Sequence, residues 1–296
     1  MIDIFSKFKP MKALRTSIPH HTPVIKKIRA VVFDIYGTLL MSDSGDLYSK
    51  HIRGKIVKRA LALSGIQIPG NKAETVIKKI LPSYLELIEE EHRFNWSIGI
   101  GFPEVDIRGI WRKIFVTLGI SNYNGMVKEI DMLRFATAFE CCSNPVWPME
   151  GLKEILQFLG ERKLLLGIIS NAQFYTPILM NYFLSGKYTT SEKIDGFIDE
   201  AVIFSYNFLR AKPDPVLFNY CISALHKKKS IKPENILYVG NDMLSDISAA
   251  RSAGMRTCLF AGDKRSLRLR DIKPDDSMYK PDAVITKLEQ IKNLIG

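Results

Sequence analysis

The feature that most constrains the fold is an almost unbroken apolar run at residues 28–36, which contains the sequence Ala-Val-Val-Phe. Such runs are typical of strands that are buried on both faces of a parallel sheet. The run ends in the sequence DIYGT, residues 34–38, in which Asp34 is the first polar side chain. Because open parallel sheets bind ligands at the carboxyl ends of their strands, this run predicts both a fold class and the place of a site.

Two patterns of hydrophobic spacing divide the rest of the chain. Beyond residue 148, short apolar strands alternate with helices, an order typical of a doubly wound α/β fold. Residues 41–148 show helical periodicity, so the first strand can join the later ones only if this block is an insertion. We predict a Rossmann-like parallel α/β core at residues 24–40 and 149–296, a helical cap at residues 41–148, and a basic extension at residues 1–23.

Composition and charge exclude several classes of function. No segment reaches the ~18 apolar residues of a membrane span, and the N-terminus does not resemble a secretory signal, so we expect a cytoplasmic protein. The four cysteines lack the spacing of a zinc site or a disulfide framework.

The net charge of +11 is concentrated at the N-terminus, where residues 1–30 hold seven basic residues and one acidic residue. We interpret this segment as a solvated tail and expect no nucleic acid partner. A positive surface favours a small anionic substrate. The sequence leaves the oligomeric state open.

Polar side chains collect at the ends of successive predicted strands. Each has an ordinary structural explanation, since Asp caps helices, Ser forms turns and Lys is commonly solvated in loops. Their joint occurrence along one edge of the predicted sheet instead favours a site. The set consists of Asp34, Thr38, Ser170, Asn171, Lys212, Asn241, Asp242 and Asp246.

Four segments resemble the motifs of the haloacid dehalogenase superfamily. They are VVFDIYGTLL, LLLGIISNAQ, RAKPDPVLF and ILYVGNDMLSDISAARSAGM. The resemblance covers the whole predicted core, and the insertion at residues 41–148 falls where members with a helical cap between the first two motifs carry it. It implies a hydrolase that works through an aspartate nucleophile.

The resemblance also implies a role for each motif residue. Asp34 would attack the substrate and form a covalent intermediate, and Lys212 would offset the repulsion between this carboxylate and an anionic substrate. Ser170 and Asn171 would bind the transferred group, and Thr38 would support the loop that carries Asp34. Mg²⁺ would be held by Asp34, the main-chain oxygen of Tyr36, Asp242 and Asp246.

Two departures from the motifs leave the reaction type open. Phosphatases of the superfamily usually have an aspartate at the position of Tyr36, and loss of such a general acid and base typically costs ~10² to 10⁴ in rate. The 2-haloacid dehalogenases have Asp-x-Tyr-Gly-Thr there, because a halide leaves without a proton. The fourth motif, in contrast, resembles the metal-binding form, although Asn241 would replace Asp242 as the ligand in a different alignment.

The electrostatics of the two aspartates favour metal binding. Carboxylates within ~4 Å repel by several kcal/mol at intermediate dielectric, so we expect Asp34 and Asp242 to lie close together around a cation. We predict Mg²⁺-dependent hydrolysis of a small phosphorylated metabolite, with a good leaving group, Tyr36 or a cap residue compensating for the missing acid. The alternatives are hydrolysis of a 2-haloacid and a non-catalytic protein that binds a metabolite or partner. The cap arginine of the dehalogenases is not assignable among Arg53, Arg93, Arg108 and Arg112.

Overall fold

The computed structural model describes residues 2–6, 9–43, 50–68, 73–122, 125–187, 189, 191–270 and 279–295. The helices in these ranges are α1 Ile2–Phe5, α2 Lys50–Ser64, α3 Ala73–Ser97, α4 Ile107–Thr117, α5 Glu129–Ser143, α6 Leu152–Glu161, α7 Thr176–Ser185, α8 Ser205–Phe208, α9 Pro215–Lys229, α10 Ala249–Ser252 and α11 Ile291–Ile295. The strands are β1 Ala30–Phe33, β2 Leu40–Ser42, β3 Ser121–Asn122, β4 Gly125–Met126, β5 Val146–Pro148, β6 Leu165–Ser170, β7 Val202–Phe204, β8 Ile236–Gly240, β9 Arg256–Phe260 and β10 Ala283–Ile285. A π-helical turn at Met243–Ser248 leads into α10. None of the helices in this part of the chain combines the length and apolar character needed to cross a lipid bilayer.

Six parallel strands form the main sheet in the order β10-β9-β8-β1-β6-β7. The residues of β1 alternate between two hydrophobic clusters, with Val31 and Phe33 in one and Ala30 and Val32 in the other. This double burial explains why the strand has no polar face. The chain runs from β1 to β6 and β7 on one side and then to β8 on the other, so the sheet has its topological switch point beside β1. The predicted doubly wound α/β fold is confirmed.

The helices α2 to α5 are inserted between β1 and β6, as the helical periodicity predicts. Trp111 of α4 is fully buried among them, with its ring 4.6 Å from that of Tyr84 and 4.9 Å from those of Phe135 and Phe139. The antiparallel pair of β2 and β5 lies where the chain leaves and re-enters the core. This pair joins the helical insertion to the sheet by two adjacent connections.

The interpretation of the N-terminal segment as a solvated tail is wrong at two places, although the side chains of residues 9–23 are exposed or half-buried. His21 and Val284 exchange two backbone hydrogen bonds of 2.8 Å, which extend the edge of the sheet at β10. Ile4 and Phe5 are buried, and the Phe5 ring lies 5.4 Å from that of Tyr182. The high density of Lys and Arg indicated exposure, but an edge strand offers unpaired backbone groups whatever the side-chain charge.

Candidate active site

Asp34 lies directly after β1, and only 5% of the residue's surface is exposed to solvent. Its Oδ1 accepts hydrogen bonds from Ser170 Oγ at 2.9 Å and from Lys212 Nζ at 2.7 Å. Its Oδ2 accepts a longer one from Thr38 Oγ1 at 3.3 Å. Three of the four motifs therefore meet at this carboxylate, as parallel strands that end at one edge of a sheet require.

The ammonium group of Lys212 is buried between two carboxylates. Besides Asp34, its Nζ contacts Asp246 Oδ1 at 2.5 Å and Tyr238 OH at 3.2 Å. Burial by itself lowers the pKa of Lys212, but the charges of Asp246 and Asp34 more than offset this and raise it. Asn171 Oδ1 accepts a hydrogen bond from the Lys212 backbone N–H at 2.7 Å, which fixes the start of this loop. Lys212 is thus a permanent positive charge against the strand ends.

Both carboxylate oxygens of Asp246 accept hydrogen bonds that fix the orientation of the side chain. Its Oδ2 accepts hydrogen bonds from the backbone N–H groups of Asn241 and Asp242, both at 3.0 Å. Its Oδ1 accepts from Lys212 and from Tyr238 OH, the latter at 2.9 Å. Burial raises the pKa of Asp246, while Lys212 opposes this shift. A Cβ atom at Gly240 would lie 2.4 Å from Asp246 Cγ, so glycine is required where the carboxyl folds back on the strand end.

Asn241 is the fourth-motif side chain that faces the first motif. Its Oδ1 accepts a hydrogen bond from Thr38 Oγ1 at 3.1 Å, and its Nδ2 donates one to Ser266 O at 2.5 Å. The Thr38 hydroxyl proton is therefore shared between Asn241 and Asp34. Gly37, with φ of +90°, allows this approach, since a Cβ there would lie 2.6 Å from Asn241 Nδ2.

Asp242 is directed elsewhere. Its Oδ1 caps the π-helical turn by accepting from Leu244 N at 2.9 Å and Ser245 N at 3.1 Å, and its carboxylate forms an ion pair with Arg270. Burial tends to raise the pKa of Asp242, but Arg270 and the two amides lower it overall. The Asp242 carboxylate thus forms a helix cap and an ion pair, whereas Asn241 presents its amide oxygen to the first motif.

Tyr36 occupies the position where a second aspartate would provide acid and base. Its hydroxyl lies 2.8 Å from Thr176 Oγ1, at the first residue of α7. Burial raises the pKa of the Tyr36 phenol well above its usual range. The side chain therefore remains protonated in any ordinary buffer and is not a base.

Sequence reasoning missed several polar groups around this edge. Tyr238 lies within the apolar strand β8, yet its hydroxyl bonds Lys212, Asp246 and the backbone oxygen of Ile169. Glu104 and Glu140 of the insertion are carboxyls that have raised pKa values because of burial. Of these groups, only Tyr238 could have been recognised in the sequence, because it places a hydroxyl in an otherwise aliphatic strand.

The structure places most of the candidate cap arginines in ion pairs. Arg108 pairs with Asp106 at 2.8 Å, and its guanidinium lies 5.8 Å from the ring centre of Phe174, beside the second motif. The remaining pairs are Arg93 with Glu89 and Arg112 with Glu129. The side chain of Arg53 lies outside the described residues.

The donor atoms at the strand ends fit magnesium with one carboxylate, that of Asp34, instead of the three that the motifs imply. Within the described residues, no three or more His, Cys, Asp or Glu side chains gather as a metal cluster. Asp34 Oδ2 and Asn241 Oδ1 nevertheless adjoin the same hydroxyl and are both oxygen donors. Because Mg²⁺ prefers oxygen ligands and binds through one or two carboxylates, this set fits the ion.

Fold and site together define a doubly wound α/β protein with a helical insertion and a buried carboxylate and lysine centre at the switch point of the sheet. A comparison with known families matches residues 28–254 to the haloacid dehalogenase-like hydrolases. The chain therefore belongs to this family of hydrolases.

The individual relatives share only a small fraction of identical residues with this chain. The Rhythmically expressed gene 2 protein of Drosophila melanogaster is 24% identical over 248 residues, which cover 79% of this chain and 84% of that protein. Two solved structures each align with 90% of this chain over 96% of their own length. One is a 2-haloacid dehalogenase from Pseudomonas syringae pv. Tomato DC3000, with 18% identity and a TM-score of 0.52. The other is a HAD phosphatase from Thermococcus onnurineus, with 19% identity and a TM-score of 0.50. These structures share the fold, and they belong to both reaction types.

Proposed function

We propose that the protein hydrolyses a small phosphorylated metabolite through nucleophilic attack by Asp34. The observation that carries this proposal is the buried Asp34 carboxylate, whose Oδ1 is held by Ser170 and Lys212 at the carboxyl end of β1. A fixed nucleophile beside a fixed cation is suited to an anionic electrophile, because the cation offsets the repulsion as the two approach.

The proposed reaction has two steps, attack on phosphorus and hydrolysis of the resulting aspartyl phosphate. Asp34 attacks phosphorus, and the bond to the leaving oxygen breaks with its electron pair passing to that oxygen, which takes up a proton. Water then attacks the aspartyl phosphate, releases inorganic phosphate and regenerates Asp34. Ser170 and Lys212 hold oxygens of the transferred group during both steps, and Asp246 keeps Lys212 in position.

Magnesium would be held in this proposal by Asp34, the main-chain oxygen of Tyr36 and Asn241 Oδ1. When bound, it would neutralise part of the charge on the phosphoryl oxygens. Asp242 and Asp246 are not in the proposed set, since the cap, Arg270, Lys212 and the strand-end amides already occupy their carboxylates.

Hydrolysis of a 2-haloacid is the second candidate, and two observations favour it. Position 36 is a phenol that burial keeps protonated, and position 241 is a neutral amide. Displacement of halide from carbon needs neither a proton for the leaving group nor a metal ion beside the nucleophile. Lys212 would supply the positive charge that such a site requires for a carboxylate substrate.

One assay separates the two reactions. Purified protein is incubated with phosphate monoesters, acyl phosphates and 2-chloropropionate, each with Mg²⁺ and with EDTA, and released phosphate and chloride are measured. Phosphate release that stops in Asp34→Asn but persists in the exposed control Asp195→Asn supports the proposal. Chloride release that resists EDTA supports the second candidate. No release from any substrate, with unchanged metabolite binding in Asp34→Asn, would instead indicate a binding protein.

A further inference from the structure

The proposed reaction needs a proton donor that the first motif does not contain. The leaving oxygen of an alkyl phosphate must be protonated as its bond to phosphorus breaks. Tyr36 stands where the family's second aspartate would act, and its phenol is buried against Thr176. A phenol whose pKa is raised this far is a poor proton donor, so a carboxyl elsewhere would be the better acid, and the end of α5 lies beside the strand that follows this loop.

The last turn of α5 is held close to the first motif by the connection between insertion and core. The strand β2 begins four residues after Tyr36 and pairs with β5, which follows α5. Ser42 Oγ donates to Asn144 Oδ1 at 3.0 Å, and Asn144 N donates to Glu140 O at 2.8 Å. These contacts place the last turn of α5 beside β2, and the charge of Glu140 adds to the raised pKa of Tyr36, so the two side chains are close enough to interact electrostatically.

The Glu140 carboxyl is fixed on one side and open on the other. Its Oε1 accepts a hydrogen bond from Tyr84 OH at 2.8 Å, and the Tyr84 ring is stacked on Trp111 at 4.6 Å. Among the described residues, Oε2 has no hydrogen-bond partner. A carboxyl held by one oxygen, with the other unoccupied, has the arrangement of a group that contacts a ligand.

The surroundings keep this carboxyl able to exchange a proton. Burial raises the pKa of Glu140 to about 7, Tyr84 opposes the shift and Glu104 adds to it. The other titratable groups that face it come from each neighbouring element, and burial raises their pKa values too: they are Tyr84 on α3, Glu104 before α4, Cys141 on α5, Tyr36 after β1 and Tyr175 before α7. The phenols and the thiol thus remain protonated at neutral pH.

Glu104, the other buried carboxyl of the insertion, has a structural role instead. Its Oε2 accepts from Ser205 Oγ at 2.8 Å, and its Oε1 accepts from Val105 N at 2.9 Å. Its backbone N–H donates to Leu209 O at 3.1 Å. Both oxygens are engaged where the insertion rests on the core, so Glu104 provides a matched control for Glu140.

We propose that Glu140 is the general acid and base of this enzyme, in place of the carboxyl absent at position 36; this rests on the proposed phosphatase function. In the first step, the Glu140 carboxyl gives its proton to the leaving oxygen as the bond to phosphorus breaks. In the second step, its carboxylate takes a proton from the water that attacks the aspartyl phosphate. The carboxyl is restored at the end of each turnover.

The test compares leaving groups in Glu140→Gln, which preserves the acceptor for Tyr84. With an alkyl phosphate, kcat is expected to fall by ~10² to 10⁴, the usual contribution of a general acid and base. With p-nitrophenyl phosphate, whose leaving group needs no proton, the pre-steady-state burst of nitrophenolate is expected to persist. The steady-state rate that follows should be slow, because the water in the second step lacks its base.

Controls separate this inference from the proposed function and from misfolding. Glu104→Gln should change the rates for both substrates by the same factor, and Glu140→Asp should recover part of the alkyl phosphate rate. A nitrophenolate burst that slows in Glu140→Gln by as much as the alkyl phosphate rate, or no loss with either substrate, would overturn the role of Glu140 while leaving Asp34 as nucleophile. A wild-type protein that releases no phosphate from any substrate would overturn the proposed function itself. Circular dichroism and thermal melting establish whether each variant is folded. If Glu140→Gln does not fold, the comparison of leaving groups is made with Glu140→Asp.

Discussion

The hydroxyl of Thr38 lies 3.1 Å from the amide oxygen of Asn241, although the two residues are 203 positions apart in the sequence. The same hydroxyl is 3.3 Å from Asp34 Oδ2, so the amide of Asn241 borders the nucleophile. A neutral group occupies the place where a carboxylate would add attraction for a cation. The affinity for divalent ions should therefore depend on the residue at position 241 and not on its neighbour.

Replacement of Asn241 by Asp should tighten the binding of Mg²⁺ or Mn²⁺. An added attraction of only ~1.4 kcal/mol corresponds to tenfold in the dissociation constant, and a second carboxylate beside a divalent ion supplies at least that at the dielectric of a protein surface. Calorimetric titration of the protein with each metal salt measures the change. Asp242→Asn is the matched control and should leave the affinity as it is. The reverse pattern would show that Asp242 turns toward the metal.

Asp242→Asn should instead lower stability. The carboxylate accepts from Leu244 N and Ser245 N and pairs with Arg270, whose side chain is 45% exposed. Asparagine caps a helix about as well as aspartate, so the loss comes only from the carboxylate charge that faces Arg270 and the two amides, and a largely exposed ion pair contributes less than about 1 kcal/mol. We expect the midpoint of urea unfolding at neutral pH to fall accordingly. Because the pKa of Asp242 is lowered in the folded protein, its contribution is present above the unfolded pKa and is lost as the pH falls through the folded value. A difference that survives at strongly acidic pH would contradict this explanation.

The sequence predicts the positions of Asp34, Ser170 and Asp246 well, because each follows an apolar strand or starts the next helix. Strands and helices are recognisable in a sequence from the regular spacing of their hydrophobic residues. It does not decide between Asn241 and Asp242. One residue more or less in the turn after β8 exchanges their directions, and the turn is set by the cap that Asp242 makes with Leu244 and Ser245. The Tyr84 hydroxyl that holds the Glu140 carboxyl likewise comes from another helix, α3, and no local pattern in α5 contains that contact.

Deletion of residues 1–23 should destabilise the protein, in contrast to removal of a solvated tail. It removes the backbone pairing of His21 with Val284 and exposes the surface covered by Phe5. Burial of one such aromatic side chain contributes roughly 1.5 to 3 kcal/mol. Urea unfolding of the shortened protein should show a lower midpoint. Neutralising two exposed residues of the segment, Lys9→Gln and Lys12→Gln, should leave the midpoint unchanged. Equal stability of the full and shortened proteins would contradict the packing of this segment.

The titration of Glu140 predicts a pH dependence of stability that is independent of any activity. Its pKa is raised from 4.5 to about 7 in the folded protein, so between these values the folded state holds a proton that the unfolded state has released. The free energy of unfolding must then decrease by about 1 to 3 kcal/mol as the pH rises from ~5 to ~7 and level off above that. Glu140→Gln cannot titrate, so its stability relative to the wild type should rise over the same interval. Urea unfolding of both proteins at several pH values between 5 and 8 measures the difference, with the exposed Glu154→Gln as a reference. Parallel curves for wild type and Glu140→Gln would mean that Glu140 is already ionised in the folded protein, and its carboxyl would then have no proton to give at neutral pH.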